Sequence, residues 1–232
     1  MTAPTSDVAA LAAALEGRPP GEILAAAAAR HPGRIALACS FGAEDCLLVE
    51  LVARHRLPVA IFTLDTGHLF PETYALWRAL EARTGLAIRA APGGPPAAAP
   101  GETPWETDAD ACCDARKVVP LRTALADLGA WVTGIRRDQT PERASARVLE
   151  WDARFGLEKV NPLAGWTSEQ VWAELRREGV PVNPLHARGY PSIGCAPCTS
   201  PSRPGEDPRA GRWRGSAKKE CGLHLTPRRP AS

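Results

Sequence analysis

The chain lacks several features that would assign it to a broad class of protein. Its 28 Lys and Arg residues almost balance 26 Asp and Glu, for a net charge of +2. That surplus is too small for a general nucleic-acid-binding protein. No apolar run approaches the ~18 residues of a membrane span. The N-terminus lacks the basic and then apolar segments of a secretory signal. We therefore expect a cytoplasmic protein without nucleic-acid or membrane partners.

Cysteine, by contrast, is plentiful, with seven residues in 232. Structural disulfides are rare in cytoplasmic proteins, so these thiols indicate metal binding or catalysis rather than cross-links. Five of them fall in three groups: the vicinal pair Cys112-Cys113, the pair Cys195 and Cys198, and Cys221 in a cationic C-terminal segment. Cys39 and Cys46 lie on the first predicted strand and the helix after it, and we expect both to be buried core thiols.

Strand and helix patterns alternate through the first two thirds of the chain, which predicts an α/β fold. Short apolar runs suit strands that are buried on both faces, and helical spacing of apolar residues follows them. The fold predicted is an open, mostly parallel sheet with helices on both faces, followed by an irregular, proline-rich C-terminal tail after Gly179. The predicted helices are 7–16, 21–30, 43–55, 70–83, 115–128 and 168–178, and Thr167 or Ser168 would cap the last of them. The predicted strands are 34–39, 58–64, 86–90, 130–135, 148–151 and 157–160, and the last two would form a short hairpin. We expect the core to include Trp131, Trp151, Trp166 and Trp172.

Two polar loops follow the first two strands. In an open parallel sheet, ligands bind beyond the carboxyl ends of the strands. Ser40 and Gly42 precede a helix, whose free backbone N–H groups suit a phosphate-like anion. Asp65 and Gly67 follow the next strand. The first loop lacks the Gly-Lys-Ser/Thr ending of a Walker loop. Together the loops indicate a nucleotide site, although each alone could be a plain tight turn.

The vicinal pair Cys112-Cys113 is unusual as a metal-ligand spacing. Zinc sites typically space their cysteines by two to four residues, as in Cys195-x-x-Cys198. Neighbouring thiols diverge in direction, so the pair fits a multi-iron cluster better than a single ion. A zinc site, a vicinal disulfide and buried core thiols remain alternatives.

Basic residues cluster around the last cysteine and after the fourth strand. Lys218 and Lys219 precede Cys221, and positive neighbours favour the thiolate form of a cysteine. Guanidinium groups suit phosphate and sulfate oxygens. The alternatives are an unpaired thiol in the tail and solvated charged loops. The candidate arginines are Arg136 and Arg143 after the fourth strand and Arg209 and Arg212 in the tail.

The ordered motifs resemble those of the assimilatory adenylyl-sulfate reductases of the phosphoadenylyl-sulfate reductase family. They cover nearly the whole chain from about residue 33 to 225, and few other families combine a vicinal cysteine pair with Glu-Cys-Gly-Leu-His. The matching segments are Ser-Phe-Gly-Ala-Glu-Asp at 40–45, Leu-Asp-Thr-Gly-His-Leu-Phe-Pro-Glu-Thr-Tyr at 64–74, Cys-Cys-Asp-Ala-Arg-Lys at 112–117, Thr-Gly-Ile-Arg-Arg-Asp-Gln at 133–139, Cys-Ala-Pro-Cys at 195–198 and Lys-Glu-Cys-Gly-Leu-His at 219–224.

The resemblance implies an adenine-nucleotide α-hydrolase-like fold and one [4Fe–4S] cluster per chain. It implies reduction of adenylyl sulfate to sulfite and AMP by reduced thioredoxin or a similar thiol donor, in the assimilatory sulfate reduction that leads to cysteine. Cys221 would be the nucleophile and would form an S-sulfocysteine, with Lys117 beside the cluster. The substrate would contact Ser40, Gly42, Asp65, Gly67, Arg136, Arg143, Arg209 and Arg212, and the cluster ligands would be Cys112, Cys113, Cys195 and Cys198.

The resemblance also implies a division of labour along the chain. Residues 1–200 would bind the nucleotide and the cluster, and 201–232 would be a flexible tail that carries Cys221. The segment between Trp213 and Cys221 looks shorter than in relatives with consecutive tryptophans there. Alternatives are a 3′-phosphoadenylyl-sulfate or dual-substrate reductase, a thiolation ATP pyrophosphatase and a zinc-holding binding module. A homo-oligomer is also compatible with the sequence.

Overall fold

The computed structural model describes residues 4–216, 218 and 220–223. Helices and strands occupy the chain as far as residue 178, and irregular segments with short turns follow them. The helices are α1 (Pro4–Leu15), α2 (Pro20–Arg30), α3 (Ala43–Arg54), α4 (Pro71–Thr84), α5 (Pro104–Thr107), α6 (Ala109–Cys113), α7 (Val119–Leu125) and α8 (Ser168–Glu178), and the strands are β1 (Ile35–Ala38), β2 (Ala60–Thr63), β3 (Ile88–Ala90), β4 (Ala130–Val132), β5 (Leu149–Asp152) and β6 (Leu157–Val160).

The six strands form one sheet in the order β3-β2-β1-β4-β6-β5. All neighbouring pairs are parallel except β5 and β6, which form an antiparallel hairpin with Leu149 opposite Val160. The chain reverses its direction of winding at β1, since β2 and β3 lie on one side of it and β4 on the other. Ligands of such sheets bind at this switch point. The predicted open, mostly parallel sheet and its hairpin are confirmed.

Helices cover both faces of the sheet, as predicted. Ile35 and Leu37 of β1 belong to the larger apolar core, which includes residues of α1, α2, α3, α4 and α8. Ala36, between them, belongs to a second core with Leu121 and Leu125 of α7. This alternation follows from the strand, whose successive side chains point to opposite faces. Cys39 and Cys46 are buried in the larger core, as expected.

The sequence prediction was wrong about where the helix after the long loop begins. It placed that helix at 115–128, whereas helical structure starts at α5 and α6. Asp108 caps α6 by accepting hydrogen bonds from the backbone N–H groups of Asp110 and Ala111. A π turn (Asp114–Val118) then joins α6 to α7. π turns are rare and occur often at functional sites.

The cap of α8 follows the predicted pattern. The Thr167 side chain accepts a hydrogen bond from the Gln170 backbone N–H, and the Gln170 side chain accepts one from the Thr167 N–H. Gly179 ends the helix in the left-handed conformation, with φ of 61°. Trp151 was expected in the core, but 37% of it is exposed on the edge strand β5.

Several of the described residues after 200 contact the segment before them. The Ser200 N–H donates to the Gly211 carbonyl, and the Trp213 N–H donates to the Cys198 carbonyl. Trp213 itself is buried. The predicted division at residue 200 therefore crosses a set of close contacts, and it stays a prediction. Among the described residues, no helix combines the length and apolarity needed to cross a membrane.

Candidate active site

A cleft of about 810 Å³ opens at the carboxyl ends of the central strands. The loops after β1 and β4 form one wall, and residues from the irregular C-terminal third form the other. Of the predicted site residues, the cleft brings together Ser40, Gly42, Lys117, Arg136, Arg143, Cys195, Arg209, Arg212 and Cys221. Residues far apart in sequence therefore share one cavity.

The loop after β1 presents the N-terminus of α3 to the cleft. Gly42 is the N-cap residue, and Asp45 in the first turn folds back to accept hydrogen bonds from the Ser40 N–H and hydroxyl, each at 2.6 Å. Phe41 adopts a φ of 63°, unusual for a residue with a side chain, and packs 5.5 Å from the Trp77 ring. Burial raises the pKa of Asp45 to about 6, although the hydrogen bonds from Ser40 act against it.

The loop after β4 lies directly against this helix start. A side chain at Gly134 would place its Cβ 2.4 Å from the Asp45 Oδ1, so only glycine fits the approach. Arg136 is buried, and its Nε donates to Glu44 Oε1 at 2.9 Å while its other side pairs with Asp138. Arg136 thus reaches the cleft wall, but its guanidinium is engaged by two carboxylates.

Asp65 and Gly67, predicted to contact substrate, are not among the residues that line the cleft. The Asp65 Oδ1 accepts hydrogen bonds from the Gly67 N–H at 2.9 Å and from the Tyr74 hydroxyl at 2.7 Å. Gly67 has a φ of 72°, which favours glycine, and a Cβ there would lie 2.9 Å from the Ala97 Cβ. Both residues shape the turn after β2. Their predicted substrate contacts stay predictions.

The four paired cysteines meet at a second, smaller pocket next to the cleft. Cys112 and Cys113 reach it from α6, and Cys195 and Cys198 from a turn beside the cleft. The Thr66 hydroxyl lies 3.2 Å from the Cys195 sulfur. Aromatic and basic side chains complete the pocket lining: His68, Trp105, Arg116, Lys117 and Trp213.

The spacing of these thiols bears on which metal group they could hold. Zinc–thiolate bonds are about 2.3 Å long, so four sulfurs on one ion lie within roughly 4 Å of each other. Among the described residues, no three Cys, His, Asp or Glu side chains are grouped closely enough to hold a single ion. A four-iron cluster distributes its cysteines over four metal atoms and needs a wider cage. Four cysteines at one pocket are a donor set that such a cluster uses, and the predicted cluster stays a prediction.

Lys117 connects the two pockets because it lines both of them. It lies in the π turn, four residues after Cys113. Burial alone would lower the pKa of Lys117, but Cys195, Cys221 and Cys113 outweigh burial and raise it. Burial raises the pKa of Cys113, against the effect of Lys117, and raises that of Cys198 to about 11. Lys117 therefore carries a positive charge between the paired cysteines and Cys221.

Arg212 lies beside the cysteine turn. Its guanidinium stacks 4.6 Å from the Trp213 ring centroid. A Cβ on Gly194 would come within 2.3 Å of the Arg212 Nη2, so the arginine lies directly on the backbone next to Cys195. Its Nη1 makes only long contacts, 3.3 Å to the Ser192 hydroxyl and 3.4 Å to the Ile193 carbonyl. Burial lowers its pKa.

Cys221 lines the cleft from the C-terminal segment, and its predicted role as the nucleophile stays a prediction. Its neighbour Glu220 contacts two predicted substrate arginines: the Arg209 Nη2 donates to Glu220 Oε2 at 3.0 Å, and the Arg143 Nη2 lies 3.3 Å from Oε1. Lys219 and His224, which belong to the motif around Cys221, lie outside the described residues.

Sequence reasoning missed Glu44, Gln139 and Glu220 as components of the site. Gln139 donates to Glu44 Oε1 at 3.1 Å and accepts a hydrogen bond from the Arg143 Nη1 at 2.6 Å. All three residues stand inside motifs that the sequence analysis quoted, so their presence there was a usable signal. Their partners, however, come from other loops.

Comparisons with known proteins agree with this geometry. The phosphoadenosine phosphosulfate reductase domain matches residues 34–201. The chain belongs to this family. An adenosine 5′-phosphosulfate reductase of Allochromatium vinosum is 47% identical over 216 residues, 88% of this chain and 84% of the relative. A phosphoadenosine 5′-phosphosulfate reductase of Gloeobacter violaceus is 43% identical over 92% of each chain.

Among solved structures, the phosphoadenylyl-sulfate reductase of Candida auris, in a phosphate complex, superposes with a TM-score of 0.77 at 27% identity. It matches over 86% of this chain and 99% of its own. This reductase fold is the adenine-nucleotide type that the sequence predicted. The resemblance to the reductase family, drawn from short motifs, is therefore confirmed over the length of the chain.

Proposed function

We propose that this chain is an adenylyl-sulfate reductase that forms sulfite and AMP with reduced thioredoxin or a similar thiol donor. The observation that carries the proposal is the position of Lys117, which lines both the cleft and the four-cysteine pocket. Cys221, Arg143, Arg209 and Arg212 line the same cleft. The names of the reductases from A. vinosum and G. violaceus support the reaction class.

The cleft offers two kinds of surface to such a substrate. The N-terminus of α3 at Gly42, with the Ser40 hydroxyl, suits a phosphate-like anion. Arg143, Arg209 and Arg212 would neutralise the phosphosulfate group, because guanidinium groups bind oxyanions through charge-assisted hydrogen bonds. A thiolate must approach a negatively charged sulfate, and these cations would reduce that repulsion in the transition state.

The chemistry would proceed in three substitutions at sulfur. The Cys221 thiolate attacks the sulfur of adenylyl sulfate, a sulfur–sulfur bond forms, and the sulfur–oxygen bond to AMP breaks with its electron pair leaving on AMP. A thiolate of the reduced donor then attacks the Cys221 sulfur atom of the adduct and displaces sulfite. The resulting mixed disulfide is resolved by the donor's second thiol, which regenerates the Cys221 thiolate. The donor is oxidised to its disulfide and the sulfur is reduced to sulfite.

Cys112, Cys113, Cys195 and Cys198, which line one pocket, would hold a [4Fe–4S] cluster. Bound by four thiolates, such a cluster supplies a sulfur-rich, negatively charged centre at this wall. Lys117 would carry its positive charge between that wall and the sulfate, and the Thr66 hydroxyl would hold the Cys195 sulfur in position.

The substrate alternative is 3′-phosphoadenylyl sulfate, since the G. violaceus relative is named for it. The family resemblance favours adenylyl sulfate, because it implies that the four paired cysteines are absent from the cluster-free reductases of the 3′-phosphorylated substrate. A reductase assay with both nucleotides at equal concentration would separate the two activities. We expect a clear preference for adenylyl sulfate.

The decisive experiment traps the covalent intermediate. Anaerobically purified protein is mixed with adenylyl sulfate in the absence of thioredoxin and then digested, and the masses of its peptides are measured by mass spectrometry. We expect one sulfonate adduct on the peptide that contains Cys221. Cys221→Ser should bind AMP but form neither adduct nor sulfite, whereas Cys46→Ala, in the buried core, should still form the adduct. An adduct on Cys39 or Cys46, or turnover by Cys221→Ser, would refute the mechanism.

A further inference from the structure

Glu220 occupies a position that an oxyanion could take. Its two carboxylate oxygens face different arginines, with Oε2 3.0 Å from the Arg209 Nη2 and Oε1 3.3 Å from the Arg143 Nη2. All three side chains are mostly buried, with 14–21% exposed, and all three line the cleft. Two guanidinium groups converging on two oxygens is also the way in which arginines bind phosphate or sulfate.

The other carboxylates of the cleft are engaged differently. Glu44 and Asp138 pair with Arg136, and Asp45 accepts hydrogen bonds from Ser40. Glu206 pairs with Arg214 at 2.9 Å. Among the acidic residues described in the cleft wall, Glu220 alone is paired with Arg143 and Arg209, and it is also the residue before Cys221.

The segment that carries Glu220 has anchors besides this carboxylate. The Lys218 ammonium pairs with Asp110 on α6, and the Arg154 guanidinium donates to the Gly222 carbonyl. Leu223 packs against the apolar core on the α7 side of the sheet. The Glu220 side chain could therefore leave the arginines while the backbone around Cys221 stays at the cleft.

We propose that Glu220 is an internal competitor for an anion subsite formed by Arg143 and Arg209. Its carboxylate offsets one of the two arginine charges when no ligand is bound, and an incoming oxyanion must displace it. A free inorganic anion gains only the arginine contacts and has to compete with a tethered carboxylate. A sulfated nucleotide gains contacts along the rest of the cleft as well. Glu220 thus makes the site selective against free sulfate and phosphate.

This inference rests on the proposed function only for the identity of the physiological anion. Its test is binding of inorganic sulfate, measured by isothermal titration calorimetry on the anaerobically purified full chain. Glu220→Gln removes the competing charge and keeps the side-chain shape. We expect Glu220→Gln to bind sulfate about tenfold more tightly than the wild type, which corresponds to roughly 1.4 kcal/mol. Inhibition of the reductase reaction by sulfate should strengthen by a similar factor.

Two variants separate competition from a general change of charge. Glu206→Gln removes one carboxylate from the same cleft wall and should leave sulfate affinity unchanged. Arg209→Gln combined with Glu220→Gln should lose the gain, because the subsite then lacks one of its guanidinium groups. Glu220→Asp, which keeps the charge on a shorter side chain, should fall between the wild type and Glu220→Gln, and serves if Glu220→Gln fails to fold.

Equal sulfate affinity in the wild type and Glu220→Gln would overturn the inference. So would an equal gain in Glu206→Gln, or a gain that persists without Arg209. Because sulfate binding needs no turnover, tighter binding by Glu220→Gln would support the subsite even if the reductase assay failed. An active reductase in which Glu220→Gln binds sulfate no better would refute this inference alone.

Discussion

Asp45 is a buried carboxylate whose environment opposes its charge. Burial raises its pKa from 3.8 to about 6, and the Ser40 N–H and hydroxyl only partly offset this. A carboxyl group whose pKa is higher in the folded than in the unfolded state stabilises the fold at a pH low enough for it to be protonated in both states. That contribution is complete below about pH 4 and is lost as the pH rises through about 6. The fold should therefore be less stable above about pH 6, where Asp45 ionises, than at pH 4.

Substitution of Asp45 tests this pH dependence. Between pH 5 and 8, ionisation of Asp45 should lower the free energy of unfolding by about 1.4 kcal/mol, as linkage predicts for those two pKa values. Asp45→Asn should lack this part of the pH dependence in anaerobic urea unfolding. Asp127→Asn, at an exposed position, controls for the loss of one carboxylate. Identical pH profiles for the wild type and Asp45→Asn would contradict the expectation.

At the scale of elements, the π turn between α6 and α7 decides what Lys117 can contact. A π turn contains one more residue per turn than an α-helix, so it rotates the residues that follow relative to those before. Cys113 enters the turn facing the cysteine pocket, and Lys117 inside the turn lines both that pocket and the cleft. The turn therefore joins a predicted cluster ligand to a predicted catalytic cation within five residues.

Replacement of Lys117 should slow sulfur transfer more than it weakens nucleotide binding. A lost charge-assisted contact costs about 1.5–3 kcal/mol. Lys117→Ala should therefore reduce the single-turnover rate of adduct formation roughly 10- to 150-fold. AMP affinity should change by less than about threefold. Arg122→Ala removes an exposed cation from α7 and should leave both quantities unchanged. An unaltered single-turnover rate in Lys117→Ala would remove the lysine from the catalytic group.

At the scale of the whole molecule, the cysteine pocket is a junction between distant segments. One pair of thiols comes from α6 and the other from the turn that precedes the C-terminal segment. The Cys198 carbonyl in that turn also accepts a hydrogen bond from the Trp213 N–H. A group bound by all four thiols would cross-link these segments and so stabilise the wall of the cleft.

Metal analysis of the anaerobically purified chain tests this junction. About four iron atoms and four acid-labile sulfides per chain should copurify with the wild type, as a single cubane requires. Cys113→Ser should lose iron, sulfide and reductase activity together. Cys46→Ala removes a buried thiol elsewhere and should retain the iron. Stoichiometric zinc without iron in the wild type would contradict the cluster.

The sequence by itself determined the fold class and most of the elements. Apolar strands, helical spacing and the Thr167 cap are local signals, and each matches an element of the structure. The family was also readable, because its motifs are contiguous runs of residues. The helical start of α5 and α6 was missed, since proline, aspartate and adjacent cysteines form no apolar stripe there.

Only the tertiary structure decided which motif residues meet. Asp65 and Gly67 follow a strand at the predicted edge of the sheet. The Asp65 carboxylate, however, accepts a hydrogen bond from the Tyr74 hydroxyl, and Ala97 leaves no room for a side chain at Gly67. Glu220 reaches Arg143 and Arg209 because three segments converge over β1 and β4. The spacing of residues along a chain determines where strands and helices form and which residues cap the helices. Contacts between loops depend on strand order and side-chain packing, which no single segment of sequence contains.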